Sequence, residues 1–300
     1  MQQVINVHTT WSQRVQRGER PSRSELREHL LEVHRQHPGF TEACAARCRD
    51  ASGRNSYEWL AEVVDPKQHR SVLDLACGSG ALTALCYERC GGQVELIGVD
   101  MSADELALAR RRVPDPAVVL HCGMAQQMTF IPDHSIDVVI CHWALTLMDP
   151  IEPVLAELRR VLRPNGILAA IVDGELSAAA GYDELHHLIY GWVQRDYPGY
   201  GDIDLGDARV RTTAALAALV ENCLPGADVR IEAGVVNQLG DPDVLAREVA
   251  GFFYAAFVLS PASRTQMLRE IASLFVRQGR DGQGRFAMPI NRLVVQLPRA

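Results

Sequence analysis

One run of residues limits this chain more than any other: Val72-Leu73-Asp74-Leu75-Ala76-Cys77-Gly78-Ser79-Gly80, followed by a second apolar run, Val94 to Val99, that ends in Asp100. A short apolar run is the pattern of a buried strand. Small residues directly after it let the main chain approach a ligand and open a helix whose N–H groups point at that ligand. A carboxylate closing the next strand, twenty residues beyond Gly80, is placed to accept both hydroxyls of a ribose. A nicotinamide dinucleotide enzyme shares this acid but carries Gly-x-Gly-x-x-Gly, whereas here Gly80 runs on into Ala81, Leu82 and Thr83. The third glycine is missing.

The pattern around this loop alternates short apolar runs with helical periodicity, which predicts a mostly parallel sheet with crossover helices. Strands are expected near 71–76, 94–99, 117–121, 136–141 and 166–172, with helices near 80–90, 103–111 and 151–162. Before this core, residues 1–21 read as a loosely held arm. Helices follow from Ser22 to the Pro38-Gly39 stop, near 41–49 and near 56–64. After it come helices near 182–196 and 212–223, a strand near 228–238, helices near 242–258 and 261–278, and a strand near 286–297. The expected division is an N-terminal helical arm or lid over 1–68, a Rossmann-like core over 69–173, and over 174–300 the rest of the sheet with helical cap insertions at 174–211 and 242–278.

Of the 300 residues, 47% are hydrophobic and 22% charged, the balance of a folded globular protein. A formal charge of −7 argues against a broad nucleic-acid surface, which needs clustered Lys and Arg. The first twenty residues lack a signal-peptide core, and the apolar stretch from Val244 to Ser260 is short for a span and broken by Arg247 and Glu248. A cytoplasmic protein without a membrane partner is expected. None of the eight cysteines forms a Cys-x-x-Cys pair, so reduced thiols and no structural metal are expected.

Asp74, Ala76, Gly78 and Gly80, then Asp100, then Leu158-Arg159-Arg160-Val161-Leu162-Arg163-Pro164-Asn165-Gly166 occur in the order in which class I S-adenosylmethionine-dependent methyltransferases carry them. Over about residues 70–173 the chain resembles that family, particularly its small-molecule branch. The resemblance implies a Rossmann-like fold with a seven-stranded, mostly parallel sheet and S-adenosyl-L-methionine as cofactor. It also implies that Asp74 and the backbone from Ala76 through Cys77 and Gly78 to Gly80 hold the methionine portion, Asp100 the ribose, and Met101 the adenine. Where the family often has Gly-Asp-Ala after strand three, this chain has Gly123-Met124-Ala125. Met124 cannot accept a hydrogen bond from the adenine amino group, so recognition there falls to the backbone of Met124 and Ala125 and to stacking.

Strand four resembles the family's in Asp137 to Leu145, which carries Cys141, His142 and Trp143 past the expected position of the sulfonium. Cys141 is a cofactor-binding candidate. His142 is the first catalytic candidate, because an imidazole can orient or deprotonate a nucleophile near neutral pH. Tyr57, on a helix ahead of strand one, is a candidate to close over the sulfonium. Tyr182 and His186, with Tyr190, share one face of a helix at i, i+4 and i+8 and complete the catalytic candidates. The expected reaction is in-line transfer of a methyl group to a small-molecule acceptor of secondary metabolism by a monomer or homodimer. Two alternatives stand beside it: a cyclase or lyase that consumes the same cofactor and releases methylthioadenosine, and a binding subunit without turnover.

Overall fold

The computed structural model describes residues 6–201 and 205–299. The first five residues of the expected arm, residues 202–204 of the expected loop and the last residue lie outside the described residues. Contacts divide the chain into two compact units, Met1–Asn55, Leu176–Leu205 and Val235–Pro289 in the first and Ser56–Glu175, Gly206–Gly234 and Ile290–Ala300 in the second.

The second unit holds the sheet. Its strands are β1 (Ser71–Leu75), β2 (Glu95–Asp100), β3 (Val119–Cys122), β4 (Ile136–His142) and β5 (Leu162–Asp173), joined by β6 (Asp228–Gly240) and β7 (Gly284–Gln296), within which the division falls. The order is β3-β2-β1-β4-β5-β7-β6. β1 to β5 pair in parallel, and β7 returns antiparallel to β5. Strand order reverses direction at β1 and β4, the switch point beyond whose carboxyl ends ligands bind in open α/β sheets. This is the seven-stranded Rossmann-like class I fold.

Crossover helices are α5 (Ala81–Cys90), α6 (Ala103–Arg112) and α7 (Glu152–Val161), while α4 (Ser56–Ala61) precedes the sheet and α9 (Thr213–Cys223) leads to β6. Alternation along the strands separates two faces. Leu73, Leu75, Val139, Cys141, Ala170 and Val172 turn to one face and form a core with Leu155, Leu158, Leu216 and Val220 of α7 and α9. Asp74, Ile140 and His142 alternate with them and turn the other way, toward the face that α4 and α5 cover.

The first unit is mainly helical, with α1 (Thr10–Gln16), α2 (Arg23–Gln36), α3 (Glu42–Arg47), α8 (Tyr182–Asp196), α10 (Pro242–Phe252) and α11 (Pro261–Gln278). Two sequence expectations differ here. Part of the arm is α1, which Thr9 and Ser12 cap reciprocally and whose Trp11 and Val15 are buried. Such capping contributes about 1 kcal/mol. The expected helix over 242–258 stops at Phe252, and Tyr254–Phe257 forms a separate 3-10 turn.

Candidate active site

The loop after β1 runs through left-handed backbone at Ala76 (φ 55°), Gly78 (φ 52°) and Gly80 (φ 75°). Gly80 is fixed twice over, since a Cβ there would also lie 2.8 Å from Cβ of Ala109 on α6. Gly80 caps α5 with no side chain of its own, and of the first-turn N–H groups that such a cap leaves without a side-chain acceptor, that of Thr83 is taken by Asp74.

Asp100 is held by the main chain: Oδ2 accepts from the Gly78 N–H at 2.8 Å and Oδ1 from the Ser102 N–H at 2.8 Å. A carboxylate has about four acceptor positions, so hydroxyl donors can still be received on an acid whose orientation is already set. Asp74 is only 3% exposed and accepts from the Thr83 hydroxyl at 2.6 Å. Burial pushes its pKa up to about 7; the Thr83 hydrogen bond opposes that and the nearby Asp100 adds to it. Burial also pushes the Cys77 thiol well above its ordinary value, with Asp74, Asp100 and Glu105 acting in the same direction. The buried Glu105 carboxylate faces Gly78, while Arg112 donates to the Ser79 hydroxyl at 3.1 Å.

Three carboxylates therefore gather at a loop whose shape alone would suit a phosphate. A pyrophosphate would be repelled there, and a ligand with a ribose and a positive charge is favoured. S-adenosylmethionine is such a ligand, and the residues present fit it: an oriented acid for the ribose, a glycine loop at a helix N-terminus, and buried carboxyl groups beside them.

At the purine end, Met101, Met124, Ala125 and Gln126 are half-buried, and no carboxylate occurs from His121 to Gln127. The Gly123 N–H donates to the Asp100 carbonyl at 2.9 Å, which ties this segment to the ribose acid. Phe130, which the sequence reading did not single out, packs on Gly123 and stacks on His121 at 4.3 Å.

Beyond β4 the construction changes. His142 Nε2 lies 2.9 Å from the Ser56 hydroxyl, and the ring stacks on Tyr57 at 3.8 Å. Burial pushes its pKa down to about 3, so it is a neutral imidazole that orients neighbours more readily than it takes a proton. Trp143 follows in the left-handed region (φ 57°), which for a bulky residue costs about 1–3 kcal/mol. Its N–H bonds to the Ile171 carbonyl at 2.9 Å, and its indole N–H donates to Oδ1 of Asp173 at 3.2 Å. Asn291, buried on β7, donates to the Asp173 carbonyl at 3.1 Å.

The structure thus brings His142 and Tyr57 together, with Ser56, Asp173 and Asn291 as additions. Asp173 ends β5 as Asp100 ends β2, a signal legible in the sequence; Ser56 and Asn291 carried none. Cys141 is fully buried on the opposite face of the sheet, where burial pushes its thiol up to about 12. Tyr182 and His186 belong to the first unit: Tyr182 is buried beside Phe253 and Phe286, and His186 stacks on Tyr190 at 4.2 Å.

Fold and site together define a Rossmann-like nucleoside-binding protein. Residues 73–170 match the family described as methyltransferase domain, and over this stretch the chain is similar to class I methyltransferases whose cofactor is S-adenosyl-L-methionine. The chain is 35% identical over 116 residues to the demethylmenaquinone methyltransferase of Symbiobacterium thermophilum, covering 36% of this chain and 46% of that protein. It is 31% identical over 148 residues to the trans-aconitate 2-methyltransferase of Azoarcus, covering 49% and 53%. It spans about half the length of these relatives. Among solved structures it is similar to phosphoethanolamine N-methyltransferase 2 of Haemonchus contortus, with a TM-score of 0.55, 15% identity, and 93% of this chain and 61% of that one covered. It is also similar to the [4+2]-cyclase SpnF, with a TM-score of 0.50, 18% identity, and 81% and 80% covered. Both structural likenesses concern the fold. Among the described residues no helix is long and apolar enough to cross a membrane.

Proposed function

We propose that this protein transfers the methyl group of S-adenosyl-L-methionine to a small-molecule acceptor. The observation that carries this reading is the ring of carboxylates Asp74, Asp100 and Glu105 about an open glycine loop, which favours a cationic nucleoside over a pyrophosphate. When bound, the cofactor supplies a methyl group made electrophilic by its sulfonium. Asp100 receives the ribose hydroxyls, and the Ala76 to Gly80 main chain with Asp74 receives the methionine portion. Met101, Met124 and Ala125 pack about the purine, and the Cys141 main chain borders the site.

Past β4, Ser56 and Tyr57 hold the His142 ring in place. Their role in this reading is to keep an apolar, water-poor wall and a fixed imidazole beside the acceptor. Aligning the nucleophile at about 3–3.5 Å from the methyl carbon accounts for much of such catalysis. Tyr182 and His186, in the first unit, are given no part in this step.

The same fold carries a cyclase, so fold alone does not select the reaction. The purified chain incubated with S-adenosylmethionine and a metabolite extract, with demethylmenaquinone and trans-aconitate as the first single acceptors, separates the readings in one chromatographic run. S-adenosylhomocysteine together with a methylated acceptor is the expected outcome. Methylthioadenosine in its place would give the cofactor a different fate, and cofactor binding without any product would leave a binding protein.

A further inference from the structure

Two polar atoms at the carboxyl edge of β4 and β5 have no partner among the described residues. One is Nδ1 of His142, whose other ring nitrogen meets the Ser56 hydroxyl at 2.9 Å. The second is Oδ2 of Asp173, whose Oδ1 accepts the Trp143 indole N–H at 3.2 Å. Register puts both side chains on one face of the sheet, because His142 pairs with Ile171 and Asp173 lies two residues further along β5. Strand spacing of about 4.8 Å and a rise of about 3.3 Å per residue set their backbones about 8 Å apart. The rings beside them are Tyr57, stacked on His142 at 3.8 Å, and Trp143, edge-on to it at 5.1 Å. Asp173 is fixed from two sides: Trp143 keeps a left-handed backbone (φ 57°) while its indole reaches the carboxylate, and the buried Asn291 donates to the Asp173 carbonyl at 3.1 Å. No cation balances it. Asp173 makes no ion pair among the described residues, and Arg292, which faces Ile171 in register, is engaged by Glu232 and the Trp59 carbonyl.

We propose that Asp173 anchors a protonated amine of the acceptor, which makes small cationic amines the substrate class of this protein. The inference rests on the reading of the chain as a methyltransferase. A half-buried carboxylate with one oxygen open accepts hydrogen bonds and cannot donate them, and beside aromatic rings it favours a cation over an anion. A protonated nitrogen has no lone pair, so the anchored nitrogen is held and not methylated. The nucleophilic atom lies at the other end of the acceptor, on the side of His142. The methyl carbon leaves the sulfonium for that atom, the sulfur keeps the electron pair of the broken bond, and the proton that the nucleophile carries passes to solvent. An acceptor spanning about 8 Å has the dimensions of one ring with a short aminoalkyl arm.

A metabolite extract split on a cation exchanger at about pH 7, where amines are charged, tests this with the full chain and methyl-labelled S-adenosylmethionine. The retained fraction is expected to yield at least about tenfold more labelled product than the unretained one. For the acceptor isolated from the retained fraction, Asp173→Asn should raise KM about hundredfold and change kcat less than about threefold. Asp173→Glu, which keeps the charge, should recover most of that loss, and both variants should bind S-adenosylhomocysteine within about twofold of wild type. Should Asp173→Asn not fold, Trp143→Phe serves: it removes the indole donor and keeps a ring, and should raise the same KM about fivefold. An unmoved KM there would count against Asp173. Label from the unretained fraction, label on the amine nitrogen, or an Asp173→Asn KM within about threefold of wild type would overturn the assignment while leaving methyl transfer in place. No label from either fraction, with S-adenosylhomocysteine still bound, would remove the methyltransferase reading and the anchor together.

Discussion

The two ends of the second unit's sheet edge are made differently. From β1 to β2 the site is main chain: left-handed residues at 76, 78 and 80, and an aspartate gripped by two backbone N–H groups. From β4 to β5 it is side chain: an imidazole wedged between Ser56 and Tyr57, and an indole leaning on Asp173. The first construction suits a ligand that is always the same, because main-chain geometry tolerates few substitutions. The second can be rebuilt residue by residue around a new acceptor without disturbing the first. Substitutions at the two ends should therefore separate cofactor affinity from turnover.

Asp100→Ala has the largest expected effect. It removes a charged acceptor from two hydroxyl donors and strands the Gly78 and Ser102 N–H groups, so the affinity for S-adenosylhomocysteine should fall on the order of a thousandfold. Calorimetry measures it directly. Affinity unchanged within a few-fold would mean that the ribose lies elsewhere.

This difference in construction also decides what could be read in advance. The loop and Asp100 lie in consecutive elements at short range, so spacing brought them together, and the family resemblance added Asp74. Five parallel strands were likewise visible as apolar runs. Ser56 meets His142 across 86 residues of chain, and Asn291 meets Asp173 across 118; no local pattern announces such meetings. The α1 helix was hidden for another reason. It is seven residues long, too short for amphipathic periodicity to show, and is fixed by burial of Trp11 and Val15. Packing and the Thr9/Ser12 cap together make it a helix.

Asp74→Asn tests the main-chain end through stability instead of affinity. In the folded, empty protein the Asp74 pKa rises from 3.8 to about 7, so the folded state holds this proton longer than the unfolded chain does. The resulting stability is fully present below about pH 4 and is lost as pH rises through about 7. Asparagine cannot ionise and can still accept from Thr83. Above pH 7 the empty variant should accordingly be more stable than wild type by about 2–4 kcal/mol, and near pH 4 about equal. Urea denaturation at the two pH values checks this. Saturating S-adenosylmethionine should reverse the order at the higher pH.

Ser56→Ala probes the other end. Losing the hydroxyl leaves His142 without its partner at Nε2 while Tyr57 still covers the ring. Turnover with a working acceptor should fall about tenfold, with the cofactor affinity held within about twofold. A matched loss of cofactor affinity would join the two ends that the comparison separates.

The smallest effect is expected at the purine, where the main-chain construction is incomplete. From His121 to Gln127 no carboxylate faces the purine, and the half-buried Met124 offers only a weakly accepting thioether. A purine bearing an amino group and one bearing a carbonyl at the same position should then bind alike, since neither finds a strong partner. S-inosylhomocysteine should compete with S-adenosylhomocysteine to within about threefold in the wild-type protein. Met124→Asp restores an acceptor that pairs with the amino group and opposes the carbonyl. The variant should prefer the adenine ligand by about fivefold or more, chiefly through weaker binding of the inosine analogue. A wild-type protein that already discriminates strongly would place a purine acceptor in the main chain of this segment, and the cofactor end would then be main chain throughout.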